Sequence, residues 1–286
     1  MAQRRSLFNI FFMVVLVVVA GALGLLLVSP KAQRMFAGTQ NPAGLMDGPL
    51  AVIRAPAGAP QVHILFYGNS YTFVNDLPHQ IANLAATDPQ NPIDVQVSAV
   101  TQGGAMLSDL WGQQAARDVM SARKWDYVVL QELSMSPADP ALTWYMHQAF
   151  TDFNREVRRV GAKPVVYETW ARKPGSGWYT DARTPVLHKY KRAEDMQMQI
   201  DKVTNAYAAE IQAPVIPVGD YFMMCKDKQY MPELYNQDGT HASPSGTYLA
   251  ALVFYHKLTG NPLDRVTYVP PGISAKDAAT IRKCAS

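Results

Sequence analysis

Val62-His63-Ile64-Leu65-Phe66-Tyr67-Gly68-Asn69-Ser70-Tyr71-Thr72 decides the fold. A short apolar run closed by glycine reads as a strand, and the helical period that resumes over 77–86 makes the glycine a strand-to-helix turn. Asn75 or Asp76 is placed to cap that helix. A serine in such a turn sits where helix amides can hold an oxyanion, although an ordinary turn or capping serine has the same address.

The same alternation continues along the chain. Further apolar runs at 94–100, 126–130, 164–168 and 213–218 read as strands. Helical patterns lie between and after them at 106–122, 143–160, 190–211 and 244–258. Strands alternating with helices predict an α/β body: three α/β/α layers around a parallel five-stranded sheet. In such sheets reactive groups gather beyond the carboxyl ends of the strands, so the residues following each strand carry the chemistry.

Upstream of this body the sequence changes character. From Leu7 to Val28 it is apolar apart from Asn9, with Arg4 and Arg5 in front. About 20 such residues span a bilayer, and the run outlasts the 7–15 residues typical of a cleaved signal peptide. Residues 1–29 therefore read as an N-terminal transmembrane helix, an anchor or uncleaved signal sequence. Residues 30–60, rich in Pro, Gly and Ala, read as a linker. The domain at 61–286 is then expected outside the cytoplasm.

Composition narrows the function. The 286 residues are 48% hydrophobic and 17% charged, with 26 Lys and Arg against 23 Asp and Glu. No basic run is dense enough to track phosphates, so nucleic acid is not an expected partner. Cys225 and Cys284 are the only cysteines. They are too few for a disulfide scaffold or a thiolate metal site. In an oxidising compartment they could pair, or remain two free thiols.

A second polar motif lies near the end, Asp238-Gly239-Thr240-His241, before Pro244 opens the last apolar helix. A serine hydroxyl needs a base to become a nucleophile, and the base needs an acceptor to orient it. An Asp three residues before a His can meet both needs, or simply cap a polar loop.

Together the motifs resemble the SGNH hydrolases, the GDSL-type esterase and lipase superfamily, over essentially the whole body from residue 62 to about 258. Gly68-Asn69-Ser70-Tyr71-Thr72 matches the nucleophile block, and Asp238–His241 matches the D-x-x-H block. The resemblance implies a flavodoxin-like sheet and a serine esterase with Ser70, Asp238 and His241 as catalytic residues. It also implies an oxyanion hole built from Ser70, Gly104 and Gln131. Gly104, the second glycine of Gln102-Gly103-Gly104, would offer a backbone N–H. The G-x-N-D block is missing; the third strand ends in Gln131-Glu132, more like the Q-G-E-type block of carbohydrate acetylesterases. Gln131 could donate in place of the Asn, or could be a strand-end residue bonding backbone. No metal or organic cofactor is implied.

The remaining candidates are weaker. His63 lies inside a strand and reads as a core histidine; His79, His147 and His188 read as solvated, and His256 lies on the final helix. Glu194 and Asp195 read as a polar helix face rather than a glycosidase pair. Trp170, Trp178 and Tyr179, around a Gly-rich loop, read as a sugar-stacking wall, a lid, or plain surface. The expected substrate is an ester with a short acyl group, such as acetyl, on an extracytoplasmic glycan. An acyltransferase using the same triad and a non-catalytic glycan-binding module are the alternatives.

Overall fold

The computed structural model describes residues 50–286 and one two-residue strand, β1 (Val17–Val18). The remaining strands are β2 (Gln61–Gly68), β3 (Asp94–Thr101), β4 (Tyr127–Gln131), β5 (Lys163–Glu168) and β6 (Val215–Pro217). The sheet order is β1-β3-β2-β4-β5-β6. The strands β2 to β6 are parallel, and β1 pairs antiparallel with Val100 and Thr101 at the β3 edge. The expected parallel five-stranded sheet is therefore present. The expected transmembrane helix at residues 1–29 lies outside the described residues apart from Val17 and Val18, which form the edge strand β1 and not a helix. Among the described residues no helix is long and apolar enough to cross a membrane.

Helices are α1 (Ser70–Phe73), α2 (Leu77–Ala86), α3 (Leu107–Trp111), α4 (Gln114–Ser121), α5 (Pro140–Arg159), α6 (Ala193–Glu210), α7 (Val218–Cys225), α8 (Pro244–Thr259) and α9 (Ala275–Ala285). Alternate side chains of a strand leave opposite faces of the sheet, and β2 is apolar on both. Ile64 and Phe66 enter a core with Leu77, Ile81 and Leu249 of α2 and α8. Leu65 and Tyr67 enter the other, with Leu107, Phe150 and Phe153 of α3 and α5. The Tyr67 hydroxyl, buried there, donates to Ala116 O at 2.6 Å, and burial pushes its pKa up. β2 is thus fixed at the centre of the sheet, where the chain departs first to β3 and then to β4. In α/β sheets such a switch point is where sites form, here at the carboxyl end of β2.

Several elements differ from the pattern reading, for local reasons. The helix expected over 106–122 is broken at Gly112, after which Gln113 is extended; glycine costs a helix interior about 1 kcal/mol relative to alanine. The last strand stops at Pro217 because Val218 begins α7. Helix α8 is buried at every position from Gly246 to Tyr255, packed between α2, α7 and α9, and so has no polar face. Helix α9 buries only Ala278, Ile281 and Ala285, too narrow an apolar face to mark a helix in the sequence. The end of the expected linker is laid against α2: Leu50 N donates to Asp76 Oδ2 at 2.7 Å and Ile53 N to Asn83 Oδ1 at 2.8 Å. Asp76 makes no side-chain cap to α2, being occupied there instead.

Cys225, the last residue of α7, forms a disulfide with Cys284 on α9, closing a sequence separation of 59 residues. A cross-link over such a loop removes entropy from the unfolded chain. Replacing both cysteines by serine is expected to cost about 2–5 kcal/mol of stability in urea unfolding. Two thiols that alkylate freely without reductant would contradict the pairing.

Candidate active site

The turn at the end of β2 is built on Gly68. A Cβ on this residue would lie 2.5 Å from both Gln131 Oε1 and Thr72 Oγ1, so only glycine lets β4 close under the turn. Asn69 follows in an extended conformation and caps α1, its Oδ1 accepting from Tyr71 N at 3.1 Å. Its Nδ2 donates to Ala105 O at 3.0 Å, joining the turn after β2 to the turn after β3.

Gln131 is fully buried below Asn69. Its Oε1 accepts from Asn69 N at 2.8 Å and Thr72 Oγ1 at 2.9 Å. Its Nε2 donates to Asn69 Oδ1 at 2.9 Å and Glu132 O at 2.6 Å. Both amide protons are committed, so the side chain has none to offer an oxyanion. The oxyanion role expected for Gln131 is therefore corrected: it positions the serine turn from beneath. The neighbouring Glu132 is buried as well, and burial pushes its carboxyl up to about 7. It accepts from Leu133 N (2.7 Å), Ser136 Oγ (3.0 Å) and Leu107 N (3.3 Å), so it holds the start of α3.

Ser70 is the first residue of α1, where the backbone N–H has no helical acceptor. Gly104 is exposed with φ +70°, a left-handed conformation suited to glycine, in a turn closed by Ala105 N to Gln102 O at 3.2 Å. Ser70 Oγ lies 2.8 Å from His241 Nε2 across 171 residues of sequence. His241 Nδ1 lies 2.5 Å from Asp238 Oδ2, while Asp238 Oδ1 accepts from Thr240 N (2.9 Å) and His241 N (3.0 Å). Partial burial pushes the Asp238 carboxyl up, but the His241 hydrogen bond and the two backbone N–H groups outweigh it and hold it below its usual range. An ionised carboxylate can only accept, so Nδ1 carries a proton, and Nε2 is the ring nitrogen that faces the serine hydroxyl. That is the arrangement needed to draw a proton from Ser70.

Of the three aromatics expected after β5, Trp170 is withdrawn into the core, while Trp178 and Tyr179 remain part-exposed. Trp170 is buried between Tyr71 and Phe222, stacked on each with centroids 4.5 and 4.1 Å apart. Trp178 Nε1 donates to Asp238 O at 2.6 Å. A groove of about 430 Å³ lies beside the Asp238 turn, lined by Lys173, Ser176, Trp178, Arg183, Gln237 and Asp238 among others. The sequence offered aromatics after a strand as a signal but not their engagement with a turn some 60 residues later.

The other candidates are not brought to the site. His79 Nδ1 lies 2.8 Å from Asp76 Oδ1, His147 Nε2 2.6 Å from Glu210 Oε2, and His256 Nδ1 2.8 Å from Asn261 O. His63 lies 3.7 Å from Asp126, and Glu194 and Asp195 pair with Lys226 and Arg192. Elsewhere, Glu168, Asp201 and Asp220 bring carboxylate oxygens within 4.8 Å of one another, a donor set a cation could share. Burial, then the neighbouring acids, pushes the Glu168 carboxyl up to about 9, so these groups can equally share a proton.

No protein-family profile and no curated protein matches the sequence. Solved structures do. A candidate SGNH hydrolase from Slackia heliotrinireducens is 30% identical, with 69% of this chain covering 99% of that one at a TM-score of 0.56. A DUF4886 family protein from Bacteroides uniformis ATCC 8492 is 16% identical over 79% of this chain and 93% of its own, with a TM-score of 0.61. A mutant of Axe2, an acetyl-xylooligosaccharide esterase from Geobacillus Stearmophilus, is 13% identical over 77% of this chain and 100% of its own, with a TM-score of 0.51. The latter two likenesses concern the fold alone.

Two outcomes follow from the buried polar groups. Gln131→Ala strands Asn69 N–H and the Thr72 hydroxyl, so it is expected to cost about 2–5 kcal/mol in urea unfolding; undiminished stability with kcat lowered on the order of 10²–10³ would restore the oxyanion role. The raised Glu168 pKa contributes stability that is complete below the ordinary value of 4.5 and is lost as pH rises through about 9. Thermal midpoints should therefore fall across that window, and Glu168→Gln should flatten the fall; an unaltered slope in the variant would contradict the protonated assignment.

Proposed function

Because this chain belongs to the SGNH hydrolases, we propose that it is a serine ester hydrolase in which Ser70 is the nucleophile, His241 the base and Asp238 the orienting carboxylate. The observation that carries this reading is the continuous relay Ser70 Oγ to His241 Nε2 to Asp238 Oδ2, at 2.8 and 2.5 Å. Ser70 Oγ attacks the ester carbonyl as its proton passes to His241 Nε2. Asp238 stabilises the imidazolium, and the Ser70 and Gly104 N–H groups take the oxyanion charge. His241 then returns the proton to the departing alcohol. A water, activated by the same imidazole, releases the acyl group from Ser70.

The proposed substrate is a short-chain, acetyl-type ester on a carbohydrate. The groove beside Asp238 supports it, presenting the Trp178 indole with Lys173, Arg183 and Gln237 around it. Such a mixture of aromatic and polar groups suits an alcohol rich in hydroxyls. A fold neighbour that acts on acetylated xylo-oligosaccharides points the same way. The proposed location is extracytoplasmic. The Cys225–Cys284 disulfide favours an oxidising compartment. A transferase would use the same relay with a sugar hydroxyl in place of water, and acyl transfer measured with oligosaccharide acceptor distinguishes the two.

The full-length protein is expected to hydrolyse p-nitrophenyl acetate faster than long-chain esters and to release acetate from acetylated xylo-oligosaccharides. Ser70→Ala should abolish turnover with the fold intact. His241→Ala should do nearly the same, since the two act as one unit, and Asp238→Ala should be milder. Esterase activity that survives Ser70→Ala would overturn the assignment, and a preference for long acyl chains would overturn the substrate class.

A further inference from the structure

Three successive carbonyls of the Asp238 turn are each taken by the segment that follows β5. Asp238 O accepts from Trp178 Nε1 at 2.6 Å, Gly239 O from Lys173 N at 2.9 Å, and Thr240 O from Trp170 Nε1 at 2.8 Å. At the centre of this segment lies Arg172, 4% exposed. Its Nη1 donates to Tyr71 Oη at 2.6 Å and to Ser134 Oγ at 2.8 Å, its guanidinium carbon lies 5.0 Å from the Trp178 ring centroid, and its Nε has no hydrogen-bond partner. These partners are all neutral. A buried charge held by neutral groups is costly as a means of stabilising a fold.

What the charge does provide is direction. Arginine can only donate, so Tyr71 Oη accepts from it; Tyr71 Oη also lies 2.6 Å from Thr240 Oγ1, and with its in-plane acceptor position taken by the guanidinium the phenol is left to donate its proton there. Tyr71 follows Ser70 in the chain and Thr240 precedes His241. The Tyr71–Thr240 bond therefore ties the neighbour of the nucleophile to the neighbour of the base, and the Tyr71 ring also packs edge-on to His241 at 5.7 Å. Without the guanidinium either hydroxyl could donate and the tie would lose its single arrangement. We infer that Arg172 is a positioning residue that fixes the separation of Ser70 and His241 through the directed Tyr71–Thr240 hydrogen bond. The inference rests on reading Ser70, His241 and Asp238 as the catalytic triad.

A double-mutant cycle on the full-length protein tests it. Turnover of p-nitrophenyl acetate is measured per fluorophosphonate-reactive site for wild type, Arg172→Met, Tyr71→Phe, the double variant and Arg172→Lys. Arg172→Met is expected to lower kcat about 10–100-fold, the scale of a small misplacement of reacting groups, with KM held within about threefold. Tyr71→Phe keeps the ring stacking and should reproduce this loss. The double variant should be no slower than either single one, because both break one relay. Arg172→Lys, which keeps a charged donor, should recover part of the rate. An Arg172→Met enzyme within about twofold of wild-type kcat, or losses that multiply in the double variant, would overturn the inference. Should Arg172→Met fail to fold, Tyr71→Phe and Arg172→Lys decide: a lowered kcat at constant KM in both upholds it, and an unchanged kcat in Tyr71→Phe overturns it. Failure of the triad reading would look different, since wild type itself would then carry no reactive Ser70.

Discussion

The absence of a side chain at Gly68 is the constraint on which the rest depends. It lets Gln131 come up from the end of β4 and hold Asn69 through both its backbone and its side chain, with Thr72 closing the same buried group. Asn69 in turn reaches Ala105 after β3. Three strand ends are thereby locked together directly beneath Ser70, and the serine inherits the rigidity of the sheet centre. A hydrogen bond spanning 171 residues is only as well defined as the elements that deliver its ends, and here one end is set by strands rather than by loop conformation.

The other end is delivered differently. His241 lies on the turn closed by the isolated bridge between Tyr235 and Ala242, just ahead of α8. No strand of the sheet carries it. Its position comes from the segment after β5, whose indoles and backbone saturate the carbonyls of the turn, and from Trp170 packed into the core against Phe222 of α7. The Cys225–Cys284 bridge ends that same α7 and ties it to the C-terminal helix. The site thus joins a serine fixed by the sheet to a base fixed by a clamp of side chains.

The legible and illegible parts of this architecture divide on physical grounds. The apolar strand at 62–67 and the helices at 77–86 and 244–258 announced themselves because their burial is written in local period. Ser70, Asp238 and His241 were legible because their chemistry requires those residue types at those addresses, and the family pattern fixed the pairing. At Gln131 the residue type allows either an oxyanion donor or a strand-end residue bonding backbone, and only the four hydrogen bonds it makes show that nothing is left to donate. Arg172 leaves no such signal. A lone arginine in a polar loop looks like surface, and its burial depends on Tyr71 and Ser134, distant in sequence and invisible to any local pattern. The same limit hid α7 and α9, too short or too polar to stand out.

The account's central claim is a covalent acyl intermediate on one serine. Rapid mixing of the full-length protein with p-nitrophenyl acetate, acid quenching and peptide mapping by mass spectrometry tests this most directly. The account predicts a burst of p-nitrophenol stoichiometric with enzyme and a single acetyl group on the peptide carrying Ser70, absent from Ser70→Ala. Steady turnover with no acyl adduct, or an adduct at another residue, would contradict it.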